Sequence, residues 1–207
     1  MTSVKSFEQF KMERVDNHIN HDNLESGYSM SKHRILLIVD LQKEFADIDN
    51  NLYNYNKVMQ FVKENGNKGS YDKIISTCFR NEENPNFRYN LNWYECEDSC
   101  QSSLEYIDYV DASINTVYVK QGYATEDSFL PRAINTFNES ISEDAEIHII
   151  GCDLDACIMA ICFQLWDAGI TNFKVLTEFC YTTAKDFTKE EVIKIMKRNF
   201  GKCIVED

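Results

Sequence analysis

The sequence predicts an α/β protein of three layers, Rossmann-like, with helices on both faces of a mainly parallel six-stranded sheet in the order 3-2-1-4-5-6. Three observations lead there. Short apolar runs of strand length recur without alternation, as strands buried on both faces should read. Segments of helical periodicity separate them, and strand–helix–strand units impose right-handed crossovers and parallel pairing. An acid, a base and a thiol each stand just past an apolar run, at the strand ends where open parallel sheets bind ligands.

Residues 1–33 read as a polar extension, with Val4, Phe7, Phe10 and Met12 spaced for a short amphipathic helix. An α/β domain of residues 34–207 follows. ILLIV at 35–39 is the first strand, and residues 54–62 the first helix. KIISTC at 73–78 is the second strand. Residues 81–100, with Pro85, repeated Asn and scattered aromatics, read as a long loop. TVYVK at 116–120 is the third strand, followed by a helix over 127–137. EIHII at 146–150 is the fourth. The helix over 155–168 is apolar on nearly every side and is closed by Gly169 as a left-handed cap. FKVL at 173–176 is the fifth strand. Thr188 and Glu191 form a capping box opening a helix that runs to Phe200 and stops at Gly201. CIV at 203–205 makes a short last strand. No internal repeat interrupts the pattern.

A chain of 207 residues with 43% hydrophobic and 13% aromatic content is sized for one globular core. Its 34 acidic and 21 basic residues give a net charge of −13, which argues against nucleic acid and membrane surfaces as partners. A small-molecule substrate fits better, and an anionic one is allowed wherever a site is locally positive. The N-terminus has no apolar core of signal-peptide length, and the most apolar region, 147–168, is broken by Asp153, Asp155 and Asp167. A soluble, cytoplasmic protein is expected. The eight cysteines include no C-x-x-C pair, and Cys96 and Cys100 have no nearby His, so most read as small buried hydrophobes. No nucleotide-binding glycine fingerprint or phosphate loop is present, and no cofactor is expected.

Asp40 follows the first strand, Lys120 ends the third, and Cys157 lies seven residues past the fourth. Singly, such residues are most often a cap, a solvated charge and a core thiol. Together they have a chemistry. Cys157 falls in the first turn of a helix, where the dipole and free N–H groups favour a thiolate, and Lys120 would lower its pKa further. Asp40 could take the thiol proton and return it to a leaving nitrogen. Amides of the turn could hold an oxyanion.

The stretch ILLIVDLQKEF at 35–45 resembles the opening motif of isochorismatase-like cysteine hydrolases, a strand running into D-x-Q-x-x-F. VKQGY at 119–123 is similar to that family's lysine segment, and IGCDLDAC at 150–157 to its G-x-x-x-D-x-C nucleophile turn. The resemblance spans residues 34–205 and points to an uncharacterised branch. It implies a triad of Cys157 as nucleophile, Asp40 as proton shuttle and Lys120 as electrostatic partner. It further implies a cis peptide between Cys152 and Asp153, with the amides of Asp153 and Cys157 as the oxyanion hole. Gln42 and Phe45 would support or wall the pocket, or serve only as a turn residue and a core aromatic. Family members commonly form dimers or tetramers, so a homo-oligomer is implied.

Nicotinamidases of this family hold a metal with an Asp and histidines between the first strand and the lysine. None of His18, His21, His33 or His148 lies there, and Asp47 and Asp49 read as solvated, so no metal is expected. Arg80 and Arg88 could grip a substrate carboxylate, or pair with nearby acids; Trp93 could close the pocket by stacking, and Tyr123 joins it. Glu178 and Phe179 stand where the family has Asp-Ala, which implies a bulkier pocket floor. Asp153 would oppose an oxyanion unless its carboxylate is turned away or paired. The reading is a cysteine hydrolase of a small amide, ureido or carbamoyl compound. The alternatives are a vinyl-ether hydrolase of the isochorismatase type, in which the thiol is dispensable, and an inactive binding or assembly protein of the same fold.

Overall fold

In the computed structural model, residues 33–48, 51–67, 69–82, 85–97 and 104–205 are described. The expected N-terminal helix, together with His18, His21, Asp49 and Cys100, lies outside them.

Six strands pair in parallel in the order β3-β2-β1-β4-β5-β6: β1 Arg34–Val39, β2 Lys73–Phe79, β3 Asn115–Lys120, β4 Glu146–Gly151, β5 Phe173–Cys180 and β6 Ile204–Val205. The unbroken apolar runs are explained at once, because both faces of the sheet are covered. Ile35, Leu37 and Val39 of β1 point to one face, against α4 Phe129–Ile141, α5 Met159–Asp167 and α6 Lys189–Phe200. Leu36 and Ile38 point to the other, against α1 Lys43–Asp47 and α2 Leu52–Asn65. The capping box at Thr188 forms as read, with its hydroxyl accepting from the Glu191 amide. Among the described residues no helix is long and apolar enough to cross a membrane.

Two expectations are corrected. Residues 81–100 are not loop throughout, since Pro85–Leu91 forms a seven-residue helix, α3. Pro at the first helical position and the four-residue spacing of Phe87 and Leu91 were the available signals. The fifth strand also runs on to Cys180, past the expected end at residue 176.

Strand order reverses between β1 and β4, and their carboxyl ends open the crevice typical of such switch points. Gly151 makes that junction possible. Its φ is +119, and a Cβ there would stand 2.0 Å from the Val39 carbonyl oxygen. The close approach lets the Cys152 amide donate to Val39 O at 2.9 Å and the Tyr181 amide to Gly151 O at 3.1 Å. Gly151→Ala forces backbone against backbone and is expected to cost about 3 kcal/mol or more of stability. Urea unfolding checks it, and a loss below about 1 kcal/mol would show that the junction yields easily.

Candidate active site

Asp40 leaves β1 with φ +45, a left-handed turn that returns the chain toward the sheet. The turn is held from β2: the Asp40 amide donates to Thr77 O at 3.1 Å, and the Thr77 hydroxyl donates to Asp40 Oδ1 at 2.8 Å. The other carboxylate oxygen lies 2.8 Å from Lys120 Nζ, both side chains being wholly buried. That contact is a fully buried ion pair.

Lys120 starts two strands away, about 10 Å across the sheet. Its long stem closes the gap, with the ammonium 5.0 Å from the centroid of the Phe79 ring. Nζ donates to Gly122 O at 2.8 Å and to Cys157 Sγ at 3.2 Å. The nearby carboxylate and thiol outweigh desolvation and raise the Lys120 pKa, so it is a cation at every working pH.

Cys157 sits in a single π turn, Leu154–Ile158, that runs into α5. The Asp153 carbonyl accepts from both Ala156 N–H at 3.2 Å and Ile158 N–H at 2.9 Å. The Cys152–Asp153 peptide is cis. The structure thus brings Asp40, Lys120 and Cys157 together, with the amides of Asp153 and Cys157 beside the thiol in sequence. The expected lowering of the thiol pKa does not occur. Burial pushes the Cys157 thiol up, the Asp40 carboxylate adds to the rise, and Lys120 opposes both without reversing them. At rest the sulfur carries its proton.

Above the thiol is a cavity of about 240 Å³ walled by Phe45, Phe79, Phe87, Trp93 and Tyr123. Trp93 stacks on Phe45 with centroids 6.0 Å apart and 12° between planes, and Phe87 meets Tyr123 edge-on at 5.1 Å. The lining also includes Asp153, Asp155 and Thr183. Phe79, Phe87, Leu91, Asp155, Ala156, Thr183 and Ala184 were missed as lining residues. Phe87 and Leu91 belong to the unrecognised helix α3, and Thr183 and Ala184 follow a strand whose end was misplaced.

Asp153 is paired, which meets the concern it raised. Its carboxylate accepts from the Thr183 amide at 2.6 Å and from the Thr183 hydroxyl. Burial, against these bonds, pushes its pKa up to about 6. Asp155 accepts from the Thr182 hydroxyl.

Five residues expected to support or wall the pocket lie outside its lining. Gln42 does not line the cavity: its side chain donates to Phe79 O at 3.0 Å and accepts from Phe79 N at 2.6 Å, pinning the β1 turn to the end of β2. Arg80 pairs with Glu82, and Arg88 with Glu97 at 3.1 Å, so neither faces the cavity. Glu178 is bound to Lys57 of α2 at 2.9 Å and Phe179 packs on Phe61, so they build no pocket floor.

No family model matches the chain, and no curated protein matches it in sequence. Solved structures share its fold. A pyrazinamidase of Pyrococcus horikoshii, in complex with zinc, aligns with a TM-score of 0.62 at 17% identity, over 84% of this chain and 99% of that one. An isochorismatase-like hydrolase from Alkaliphilus metalliredigens gives 0.59 at 9% identity, over 84% and 94%. N-carbamoylsarcosine amidase from Thermoplasma acidophilum gives 0.53 at 16% identity, over 83% and 95%. The chain has the isochorismatase-like fold. A metal such as the zinc of the first structure finds no matching donors: among the described residues no three His, Cys, Asp or Glu side chains gather to hold one. His148 is engaged with Tyr71 and Glu146, and His33 with Asp72, at the amino ends of the strands.

The opposing pulls on the thiol can be separated. Labelling of Cys157 by iodoacetamide, followed by peptide mass spectrometry, is expected to be slow at pH 7. Asp40→Asn removes a charge that holds the proton on sulfur and should speed labelling about tenfold at pH 8, the effect of one pKa unit. Lys120→Met should slow it. No acceleration in Asp40→Asn would refute this charge balance.

Proposed function

We propose that the chain is a cysteine hydrolase of a small amide, ureido or carbamoyl compound. The observation that carries the reading is the Lys120 ammonium, within hydrogen-bond distance of the Cys157 thiol and 2.8 Å from the Asp40 carboxylate, with Cys157 lining an aromatic cavity. The shared fold supports it, since two of the aligned proteins are named as amidases.

In this reading the substrate carbonyl seats over Cys157 and the Asp40 carboxylate takes the thiol proton. The sulfur forms a bond to the carbonyl carbon, and the C=O electrons move to an oxyanion held by the amides of Asp153 and Cys157. Collapse breaks the C–N bond, and Asp40 returns its proton to the departing amine. A thioester on Cys157 remains. Water, losing a proton to Asp40, attacks it; the carboxylic product leaves and the thiol regains a proton. Lys120 stays protonated throughout, stabilising each anion in turn. The raised resting pKa of the thiol suits this scheme, because the proton leaves only as the bond to carbon forms.

A vinyl-ether hydrolysis, with Asp40 as the acid and no covalent step, is the second reading, and the proton held on sulfur at rest favours it. Screening of amides with wild-type and Cys157→Ala proteins decides between the two. Cys157→Ala is expected to lower kcat about 10⁴-fold or more, and rapid quenching of the wild type should show the acyl mass on the Cys157 peptide. Full turnover by Cys157→Ala would overturn the covalent mechanism.

A further inference from the structure

The walls of the cavity fix more than its size. Five aromatic residues border it, Phe45, Phe79, Phe87, Trp93 and Tyr123, whose rings carry negative π-faces. Two acidic residues, Asp153 and Asp155, share the lining with them. Their hydrogen-bond donors, Thr183 and Thr182, are neutral, so the negative charge they bring is not cancelled by those bonds. Among the described residues no ion pair joins either carboxylate to a cation.

The cations that could have reversed this polarity are committed elsewhere. Arg80 and Arg88 are paired with Glu82 and Glu97 outside the cavity wall. Lys120 is wholly buried beneath the thiol, with its charge matched by Asp40. Tyr123, on the rim, feels the result: burial raises its phenol pKa, and Cys157, Asp155 and Asp153 raise it further. The chain as a whole carries −13, so its field draws cations and repels anions.

We propose that the cavity over Cys157 selects an amide, ureido or carbamoyl compound bearing an organic cation, an ammonium or quaternary ammonium group, held between the aromatic rings and the carboxylates of Asp153 and Asp155. The proposal rests on the hydrolase reading for the scissile group, and on the cavity alone for the cation. An aromatic cage with a flanking carboxylate is a general solution for alkylammonium recognition. A carboxylate substrate, which free Arg80 or Arg88 would have served, meets the acids Asp153 and Asp155 in the cavity lining.

Binding of three compounds of one shape tests it without reference to turnover: choline, its neutral isostere 3,3-dimethylbutan-1-ol, and the anion 3,3-dimethylbutanoate. Calorimetric titration of the full-length protein at pH 8, where Asp153 is ionised, should show choline binding at least tenfold tighter than the alcohol, with the anion weakest. Asp155→Asn should narrow that gap several-fold. Tyr123→Ala, a change at a partly exposed side chain that leaves the core intact, should weaken choline several-fold if it sits in this cavity. Equal or tighter binding of the alcohol, undetectable binding of choline, or indifference to Tyr123→Ala would overturn the proposal. None of these probes has a bond to hydrolyse, so such a failure leaves the hydrolase reading standing. Loss of Cys157-dependent turnover would remove that reading without altering the choline result.

Discussion

A wholly buried ammonium sets the terms for the rest of this site. Removing a charge from water costs several kcal/mol even after relaxation, so Lys120 can lie under the sheet end only with an anion beside it and acceptors around it. Asp40 supplies the anion. Gly122 O and the Cys157 sulfur supply acceptors. The demand then spreads outward. Asp40 must leave β1 in a left-handed turn, the turn must be held by Thr77, and Gln42 must fasten the turn to the Phe79 backbone. What reads as a string of separate motifs is one chain of consequences from a single buried charge.

The same pair explains why a thiol beside a lysine is not a thiolate at rest. Lys120 favours the ionised sulfur, yet its charge is already matched by Asp40, and burial penalises any further anion. In the proposed reaction the sulfur loses its proton to Asp40 only as it bonds to a carbonyl carbon.

The three groups of the proposed site come from the ends of β1 and β3 and the turn after β4, where strand register fixes them. The cavity above them is lined from α1, the ends of β2 and β3, α3 and the segment after it, and the turns after β4 and β5. The turn after β4 belongs to both, carrying Cys157 together with Asp153 and Asp155. Connections between the strands, which vary more freely than the strands themselves, form most of the wall.

Much of this was legible in the sequence. Unbroken apolar runs alternating with helical periods determine a parallel sheet covered on both faces, because each run must be buried on both sides and each crossover must pass over the sheet. Asp40, Lys120 and the Cys157 turn follow those runs directly, so their convergence at one sheet edge is a property of local order along the chain. The capping box of α6 is likewise local. What only the tertiary structure decided involves partners distant in sequence. Whether Arg88 faces a substrate or Glu97, whether Gln42 lines the cavity or fastens Phe79, and where Glu178 finds Lys57 depend on directions that no residue type encodes. The sign of the thiol shift belongs with them. It is a sum of burial and charges contributed by β1, β3 and the π turn, and such a sum exists only once those segments have met.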